Sequence, residues 1–316
     1  MFKILGTGHA LPEKIIKNDE LAQMVDTSDE WIFSRTGIKE RRVLSDESLV
    51  DISVKASRLA LENAGIKISE IDLIIFSTVF PDFSSPSMAC LTALELDATC
   101  PAFDINCACT GFLYALDTAA AYFAAKKVKK VLIICGEQMS RVIDWTDRAT
   151  CVLFGDAAGA VVLGEGDGLL SSIITCKPND QFIRVPNAQG TSPFITKQFE
   201  KPFVKMNGQE VYKFAVTAAC NDISLVTKQA ELKLSDINYV ILHQANMRII
   251  DAAISMLKIP KEKFLNCIES TGNTSSATIP VVLDEANRAR KFKKGDIIAL
   301  SAFGAGLTTG AAIIKW

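Results

Sequence analysis

Helix-like and strand-like patterns of apolar residues alternate along the chain. Apolar positions recur with helical spacing over 51–64 and 110–125 in the first half, and over 279–290 in the second. Short continuous apolar runs, rich in β-branched residues, predict strands at 73–77, 102–106, 131–135, 158–163, 239–242, 297–302 and 311–315. Helices that alternate with such strands predict an α/β fold with buried, largely parallel strands.

The two halves of the chain repeat one another. Residues 64–76 read A-G-I-K-I-S-E-I-D-L-I-I-F, and residues 230–242 read A-E-L-K-L-S-D-I-N-Y-V-I-L, so that position 230 repeats position 64. The basic segment 125–130 recurs at 289–294, with a slightly smaller offset in the numbering. A duplication in two copies predicts two similar halves, 1–166 and 167–316, which pack about a pseudo-twofold axis as one compact unit.

One stretch of the first half has no counterpart in the second. Phe154-Gly155 recurs as Phe303-Gly304, and the offset between these two pairs is clearly smaller than that of the other repeated segments. We therefore expect about fifteen extra residues in the first half, around 138–150.

The composition is that of a folded globular protein. The chain has 316 residues, 49% hydrophobic and 22% charged, which is enough to bury a large core. Its net charge of -2 offers no overall attraction for a nucleic acid. No apolar run reaches the ~18 residues of a membrane helix, and the first residues lack the pattern of a signal peptide. We expect a cytoplasmic protein with neither a nucleic acid nor a membrane as partner.

Cysteine and histidine are distributed unlike the ligands of a metal site. The nine cysteines are an odd number, they lie mostly within apolar runs, and none forms a C-x-x-C pair. Only two histidines are present, His9 and His243. We expect reduced thiols and no metal.

Three residues form a candidate catalytic group. Cys109 lies between a predicted strand and the start of a predicted helix, where the helix N-terminus favours a thiolate. His243 ends a predicted strand, and Asn273 lies in a turn before the helix at 279–290. The offset that relates 125–130 to 289–294 also relates Cys109 to Asn273. We expect Cys109 and Asn273 to occupy equivalent junctions that meet between the halves, with His243 nearby.

A Cys, His and Asn trio supports two chemistries. In a papain-like cysteine hydrolase, histidine is the base and asparagine orients it, but that fold has its cysteine near the mature N-terminus and no internal duplication. The other chemistry forms carbon–carbon bonds on thioesters. Cys109 would hold an acyl group, while His243 and Asn273 would donate hydrogen bonds to a developing enolate. The glycine-rich turn 304–310 lacks dinucleotide-binding spacing, and its N–H groups suit an oxyanion hole.

Several segments resemble the 3-oxoacyl-acyl carrier protein synthase III family of condensing enzymes. The matching segments follow the family's order from end to end, at 26–38, 106–116, 154–159, 243–249, 272–275 and 303–308. The resemblance implies a duplicated thiolase-like fold, layered αβαβα, with two pseudo-twofold-related halves.

The resemblance also implies a two-stage reaction. Cys109 takes an acyl group from acyl-CoA; malonyl-acyl carrier protein then decarboxylates, with His243 and Asn273 stabilising the enolate, and attacks the acyl thioester. The product is 3-oxoacyl-acyl carrier protein, which initiates fatty acid synthesis. Backbone N–H groups of Cys109 and Gly304 would form the oxyanion hole. The family is homodimeric, and it needs no metal or redox cofactor.

Two alternatives stay open. One is a related thiolase-fold acyltransferase or polyketide-type condensing enzyme that keeps the trio but uses another acceptor. The other is a non-catalytic acyl-binding subunit, although a binding protein would not need Asn273 opposite the thiol of Cys109.

A short helix is predicted to end at Gly37. Thr27 and Glu30 have the spacing of a capping box, so Trp31 and Arg35, four residues apart, share one helix face.

The resemblance assigns binding roles to several residues. Trp31 and Arg148 would sandwich the adenine of CoA, and Arg35 would contact the nucleotide end. Three basic residues near the predicted mouth of the site are candidates for contact with the acidic carrier protein: Lys213, Arg248 and Lys258.

Ser85 departs from the family pattern. Many relatives have a bulky phenylalanine at this position, which reaches into the acyl pocket of the partner subunit. The smaller Ser85 predicts a deeper pocket and tolerance of primers longer than acetyl. Cys107 and Thr110 also replace smaller residues that are commoner around the nucleophile.

Overall fold

The computed structural model describes residues 1–187, 192–196 and 199–316. Its strands are β1 (Phe2–Ala10), β2 (Lys14–Lys17), β3 (Glu40–Val43), β4 (Leu73–Ser77), β5 (Ala102–Ile105), β6 (Lys130–Gln138), β7 (Asp156–Glu165), β8 (Leu169–Asn179), β9 (Ile183–Arg184), β10 (Lys205–Met206), β11 (Tyr239–Leu242), β12 (Ile297–Gly304) and β13 (Gly306–Lys315). Its helices are α1 (Asn18–Leu21), α2 (Asp29–Thr36), α3 (Leu49–Ala64), α4 (Met88–Glu95), α5 (Gly111–Ala124), α6 (Arg148–Cys151), α7 (Gly208–Gln229), α8 (Met247–Leu257), α9 (Ile268–Thr271) and α10 (Thr278–Arg288).

Two mixed sheets form the frame of the molecule. The first has the order β1-β7-β6-β4-β5, and the second has the order β11-β12-β13-β8. Strand β4 is parallel to β5 and β6, and β11 is parallel to β12. Strands β7 and β13 are antiparallel to both of their neighbours. The expectation of largely parallel strands is therefore wrong, since in each half the last two strands follow one another as an antiparallel pair.

The sheets and helices stack in five layers. Helices α3 and α4 cover the outer face of the first sheet, and α7, with α8 against it, covers the outer face of the second. Helices α5 and α10 lie between the sheets: α5 contacts strands of both, and so does α10. The predicted layering αβαβα is confirmed. The middle layer is apolar because α5 buries one residue after another along its length, including Phe112, Leu113, Leu116 and Phe123.

The duplication is visible in the order of elements. Strand β4 begins at Leu73 and β11 at Tyr239, the spacing that the sequence repeat predicts, while α5 and α10 begin at Gly111 and Thr278, one position further apart. All strands of the first sheet come before residue 166, and all strands of the second come after it. These sheet memberships support a division into 1–166 and 167–316, which we retain as a proposal.

The connection between the last two strands differs between the halves. In the second half, Ala305 alone separates β12 from β13, whereas in the first half α6 and a 3-10 turn at Met139–Val142 lie between β6 and β7. This is the place where the sequence predicts extra residues.

Strand β1 is absent from the sequence prediction. It pairs with β7 at the edge of the first sheet and contains Gly6 and Gly8. A Cβ atom at Gly6 would lie 2.5 Å from the carbonyl oxygen of Ala60, and one at Gly8 would lie 2.3 Å from that of Ala56. The glycines therefore let α3 pack directly on the strand, and this close approach interrupts the apolar pattern.

No helix in the described part of the chain is long and apolar enough to cross a membrane. All nine cysteines lie among the described residues, and all are free thiols.

Candidate active site

Cys109 lies at the junction between β5 and α5. A 3-10 turn at Ala108–Thr110 connects them, and α5 begins at Gly111, so the nucleophile candidate sits at the start of a helix. Cys109 faces a cavity of about 490 Å³, a size typical of small-molecule sites. A Cβ atom on Gly304 would lie 2.9 Å from the backbone nitrogen of Cys109. Only glycine allows the end of β12 to approach the nucleophile so closely.

Removal of water from around the Cys109 sulfur disfavours its thiolate form. Burial raises its pKa to about 12, and the hydroxyl of Ser275, whose Oγ lies 3.5 Å from Sγ, offsets only part of this shift. This loss of water opposes the thiolate that the helix N-terminus favours. The thiol must lose its proton during the reaction.

His243 follows β11 and lines the same cavity. The imidazole is buried, and Phe303 packs edge-on against it at a centroid distance of 5.2 Å. Its Nδ1 lies 2.8 Å from Oγ1 of Thr278. Burial lowers the pKa of His243 to about 3, so the ring is neutral at physiological pH.

Asn273 lines the cavity and is fixed at both its backbone and its side chain. Its N–H donates to the carbonyl of Leu153 at 2.8 Å, and its own carbonyl accepts from Gly155 at 3.0 Å. Its Oδ1 accepts the backbone N–H of Ser275 at 2.9 Å. With Oδ1 occupied in this way, the amide nitrogen Nδ2 is left as a donor for a bound molecule.

The equivalence predicted between Cys109 and Asn273 is wrong in register. The 3-10 turn Ala108–Thr110 corresponds to the turn Ser275–Ala277, and each leads directly into its central helix, α5 or α10. The counterpart of Cys109, the middle residue of its turn, is therefore Ser276. The two junctions nevertheless meet, since both Cys109 and Asn273 line the cavity and the turns contact one another.

Glu137 is a buried acid beside the site that the sequence analysis missed. Its Oε2 accepts the backbone N–H of Val79 at 2.9 Å, and its Oε1 accepts the Ser276 hydroxyl at 2.6 Å and the Ser276 N–H at 3.3 Å. Burial raises the pKa of Glu137 to about 7. An acidic residue directly after the apolar run 131–135 is the feature of the sequence that could have identified Glu137.

Thr110 links the nucleophile turn to the second half. Its hydroxyl lies 2.9 Å from that of Thr308 on β13, and it donates to the carbonyl of Cys107 at 2.6 Å. Thr308 is the register partner of Gly304 across the β12–β13 hairpin. The contact between Thr110 and Thr308 thus joins the two segments that carry Cys109 and Gly304, the predicted oxyanion-hole residues.

Trp31, Arg35 and Arg148 line the same cavity as Cys109. The helix that carries Trp31 and Arg35 ends at Gly37 in the left-handed conformation, as predicted. Its N-cap is Ser28, whose hydroxyl accepts the N–H of Trp31 at 3.1 Å, so the capping box predicted from Thr27 is wrong by one residue.

Arg148 lies directly over the Trp31 ring. The guanidinium carbon is 4.9 Å from the ring centroid, and the side chain also donates to the carbonyl of Asp26 at 2.7 Å. A flat ring stacked on both faces needs about 3.5 Å on each side. A base that enters between Trp31 and Arg148 must therefore displace the guanidinium.

The three basic residues predicted to contact the carrier protein do not all lie close together. Arg248 lines the cavity, and its guanidinium carbon lies 6.0 Å from the ring centroid of Tyr212. Lys213 follows Tyr212 in the sequence, is exposed and forms an ion pair with Glu210. Lys258 follows the other end of α8, about 15 Å along the helix axis from Arg248. Of the residues of α8, only Arg248 and Ile249 line the cavity, and the position of Lys258 at its mouth stays a prediction.

Ser85 does not line the cavity of its own chain. It is exposed, in the connection between β4 and α4. Its predicted contact with the acyl pocket would have to be made in a partner subunit.

Comparison with known proteins identifies one family. The model for 3-oxoacyl-[acyl-carrier-protein] synthase III matches residues 103–178, and the model for the C-terminal part of the same family matches residues 227–316.

Relatives and solved structures agree with these matches. A beta-ketoacyl-[acyl-carrier-protein] synthase III of Clostridium acetobutylicum is 42% identical over 99% of this chain and 98% of its own length. The crystal structure of 3-oxoacyl-[acyl-carrier-protein] synthase III from Aquifex aeolicus has a TM-score of 0.93 and 41% identity and covers both chains fully. A priming beta-ketosynthase of a polyketide biosynthetic pathway has a TM-score of 0.93 and 32% identity, covering 100% of this chain and 96% of its own.

Proposed function

The chain belongs to the 3-oxoacyl-[acyl-carrier-protein] synthase III family and has its thiolase-like fold, and from this we propose the following reaction and site. The enzyme is an acyltransferase that condenses an acyl-CoA primer with malonyl-acyl carrier protein. The product is 3-oxoacyl-acyl carrier protein, and the reaction initiates fatty acid synthesis. The observation that carries the assignment of the site is one cavity lined by Cys109, His243 and Asn273 together with Trp31 and Arg148.

In the first stage, Cys109 is acylated. The sulfur of Cys109 forms a bond to the acyl carbon, the bond from that carbon to the CoA sulfur breaks, and the thiol proton ends on the departing CoA. Backbone N–H groups of Cys109 and Gly304 hold the tetrahedral oxyanion, and the close approach of Gly304 to Cys109 supports this pairing.

In the second stage, malonyl-acyl carrier protein loses carbon dioxide and its α-carbon attacks the acyl thioester. The carbon–carbon bond forms and the bond to the Cys109 sulfur breaks. The negative charge of the malonyl carboxylate thus passes through the enolate to that sulfur, which takes up a proton from water. Asn273 Nδ2 and His243 Nε2 donate hydrogen bonds to the enolate oxygen. The bond from Ser275 N–H to Asn273 Oδ1 supports this role, since it leaves Nδ2 available.

The nucleotide of CoA binds at the outer end of the cavity. We place its adenine between Trp31 and Arg148 and its phosphates near Arg35, which is supported by the position of all three on the cavity wall. For the carrier protein, we retain Arg248 and Lys213 at the mouth. No cofactor beyond the CoA thioester substrate is required, because the bonds and protons of both stages balance without one.

A homodimer is part of the proposal. Strand β5 is at the edge of the first sheet and is only half-buried along its length, so it offers unpaired backbone groups to a second copy. We also propose a cytoplasmic location, which is supported by nine free cysteines.

Intact-mass measurement tests the assignment. The enzyme is incubated with acyl-CoAs of increasing chain length, then with malonyl-acyl carrier protein, beside a Cys109→Ala variant. We expect an acyl adduct on wild type alone, followed by its discharge into a 3-oxoacyl-carrier product. An adduct that malonyl-acyl carrier protein leaves untouched would indicate another acceptor, as in a related acyltransferase. A chain that never carries an adduct would overturn the role of Cys109.

A further inference from the structure

The His243 ring has one hydrogen-bond partner among the described residues. Its Nδ1 lies 2.8 Å from the hydroxyl of Thr278, the first residue of α10. Both side chains are buried, with an exposed fraction of 1% each. The other ring nitrogen, Nε2, has no hydrogen-bond partner among the described residues, and His243 lines the cavity.

The proton on this ring can sit on only one nitrogen. The ring is neutral, because it is buried and its hydrogen-bond partner is a hydroxyl and not a carboxylate. A neutral imidazole has one N–H donor and one bare acceptor nitrogen. His243 can donate to an enolate from Nε2 only if Nδ1 is bare, and a bare Nδ1 in this buried position needs a hydrogen-bond donor.

We propose that Thr278 is a positioning residue that donates its hydroxyl proton to Nδ1 of His243 and thereby keeps the ring in the Nε2–H tautomer. This inference rests on the proposed condensation and explains how one of its two enolate donors is kept in the correct protonation state. A wrong histidine tautomer is costly in enzymes that depend on the ring, even where the geometry of the site is intact.

A second acceptor competes for the same proton. The Thr278 hydroxyl also lies 2.9 Å from the carbonyl oxygen of Ser275, one turn earlier. If it donated to that carbonyl, Nδ1 of His243 would have to carry the ring proton, and Nε2 could not donate. The two arrangements predict opposite tautomers and are therefore distinguishable by measurement.

Solid-state ¹⁵N NMR of the full-length protein, labelled with ¹⁵N-histidine, reads the tautomer directly. The chain contains only His9 and His243, so the spectrum holds two imidazoles. The signals of His9, whose Nδ1 lies 2.6 Å from a carboxylate oxygen of Asp284, are assigned by their loss in a His9→Gln variant. We expect wild-type His243 to show a protonated Nε2 and a bare, hydrogen-bonded Nδ1.

Two variants of Thr278 test the donor. Thr278→Val removes the hydroxyl at nearly constant volume, and we expect the Nδ1 signal to shift, while Thr278→Ser retains it. In rapid-quench assays, Thr278→Val should slow condensation with malonyl-acyl carrier protein about tenfold. Acylation of Cys109 should be slowed by a factor at least fivefold smaller, and Thr278→Ser should restore the rate of condensation. Thr227→Val is the matched control, since it deletes a buried hydroxyl that bonds only within α7.

The outcomes separate this inference from the proposed function. A protonated Nδ1 in wild-type protein overturns the role of Thr278, and so does a Thr278→Val variant with an unchanged Nδ1 signal and unchanged rates. If Thr278→Val does not fold, the wild-type spectrum still decides. A wild-type enzyme that takes no acyl group from any acyl-CoA would instead contradict the proposed function.

Discussion

Asn106 and Asn273 hold the same position in the two halves of the molecule. Each side-chain oxygen accepts the backbone N–H two residues ahead, from Ala108 at 3.2 Å and from Ser275 at 2.9 Å. Both of those residues have a φ of 49°. The duplication thus builds one turn twice: one copy presents the Cys109 thiol, and the other presents an amide to the same cavity.

The thiol of Cys109 should be the only cysteine that carries the acyl group. Cys109→Ala is expected to abolish the acyl adduct in intact-mass spectra after incubation with acyl-CoA. Cys107→Ala, which removes a partly exposed thiol from the same turn, should leave the adduct in place. An adduct that survives in Cys109→Ala and disappears in Cys107→Ala would reverse the assignment.

The amide of Asn273 should serve condensation more than acylation. Asn273→Asp keeps an oxygen for the Ser275 N–H but loses the Nδ2 donor, so we expect condensation to slow by about 10² to 10³-fold. Single-turnover assays should show Cys109 acylation much less affected. Asn106→Asp makes the same change at the equivalent position, where a similar loss of condensation would argue against a specific role for Asn273.

The contact between Arg148 and Trp31 should govern the affinity for CoA thioesters. Arg148→Met removes a guanidinium stacked at 4.9 Å and should raise KM for acyl-CoA about tenfold with little change in kcat. Lys39→Met removes a cation 5.1 Å from the Phe33 ring, outside the cavity, and serves as control. Steady-state kinetics with acyl-CoA as the varied substrate decide; equal effects of the two variants would contradict the placement of the adenine.

The buried carboxyl of Glu137 should make stability fall as pH rises. Its pKa of about 7 lies above the value of 4.5 for an exposed glutamate, so its contribution is complete below pH 4.5 and is lost as pH rises through about 7. The shift corresponds to about 3 kcal/mol in the free energy of unfolding. In urea denaturation between pH 4.5 and 8.5, this decline is read from the difference between wild type and Glu137→Gln, because His243, whose pKa burial lowers, contributes with the opposite sign below pH 6.5.

Asp156 provides the comparison for this measurement. Burial raises the pKa of Asp156 to about 6, so its contribution has the same sign and is lost over a lower pH range. Asp156→Asn should flatten the lower part of the curve, and Glu137→Gln the upper part. Curves that run parallel to wild type would show that neither carboxyl titrates in this range.

The preferred length of the acyl-CoA primer should depend on the size of the residue at position 85. Ser85→Phe is expected to slow acylation by long acyl-CoAs by at least about tenfold relative to acetyl-CoA, because in the proposed homodimer the bulky ring would fill the partner's acyl pocket. Ser84→Phe, at the neighbouring exposed position, is the control. Competition between acyl-CoAs, read by intact mass, measures the preference. A wild-type enzyme acylated faster by acetyl-CoA than by every longer primer would be evidence against the deeper pocket.

The sequence predicts some elements to the residue and others not at all. The strands at 73–77 and 239–242 are found with those bounds, because each is a continuous apolar run buried on both faces. Strand direction depends on the partner, which a single run does not reveal. Strand β1 escapes prediction because Gly6 and Gly8 serve its packing against α3.

The error in register between the halves also has a physical cause. Helix α5 has 14 residues and α10 has 11, so the offset between the halves is larger before these helices than after them. The basic segments that set the offset used for Cys109 lie beyond the helices, whereas Cys109 lies before them. The sequence therefore identifies the trio and the meeting of the two junctions but pairs the wrong residues, and nothing in it indicates the contacts of Glu137 and Thr278.

The unequal connections between the last strands of each half give the molecule a direction. Two identical copies of one fold, related by a twofold axis, would bind a ligand equally well in two orientations. The connection with α6, present in the first copy alone, carries Arg148 and, through Leu153 and Gly155, holds the backbone of Asn273. The longer connection of the first half therefore removes the twofold symmetry from the cavity wall, so that a bound molecule meets different side chains in its two possible orientations.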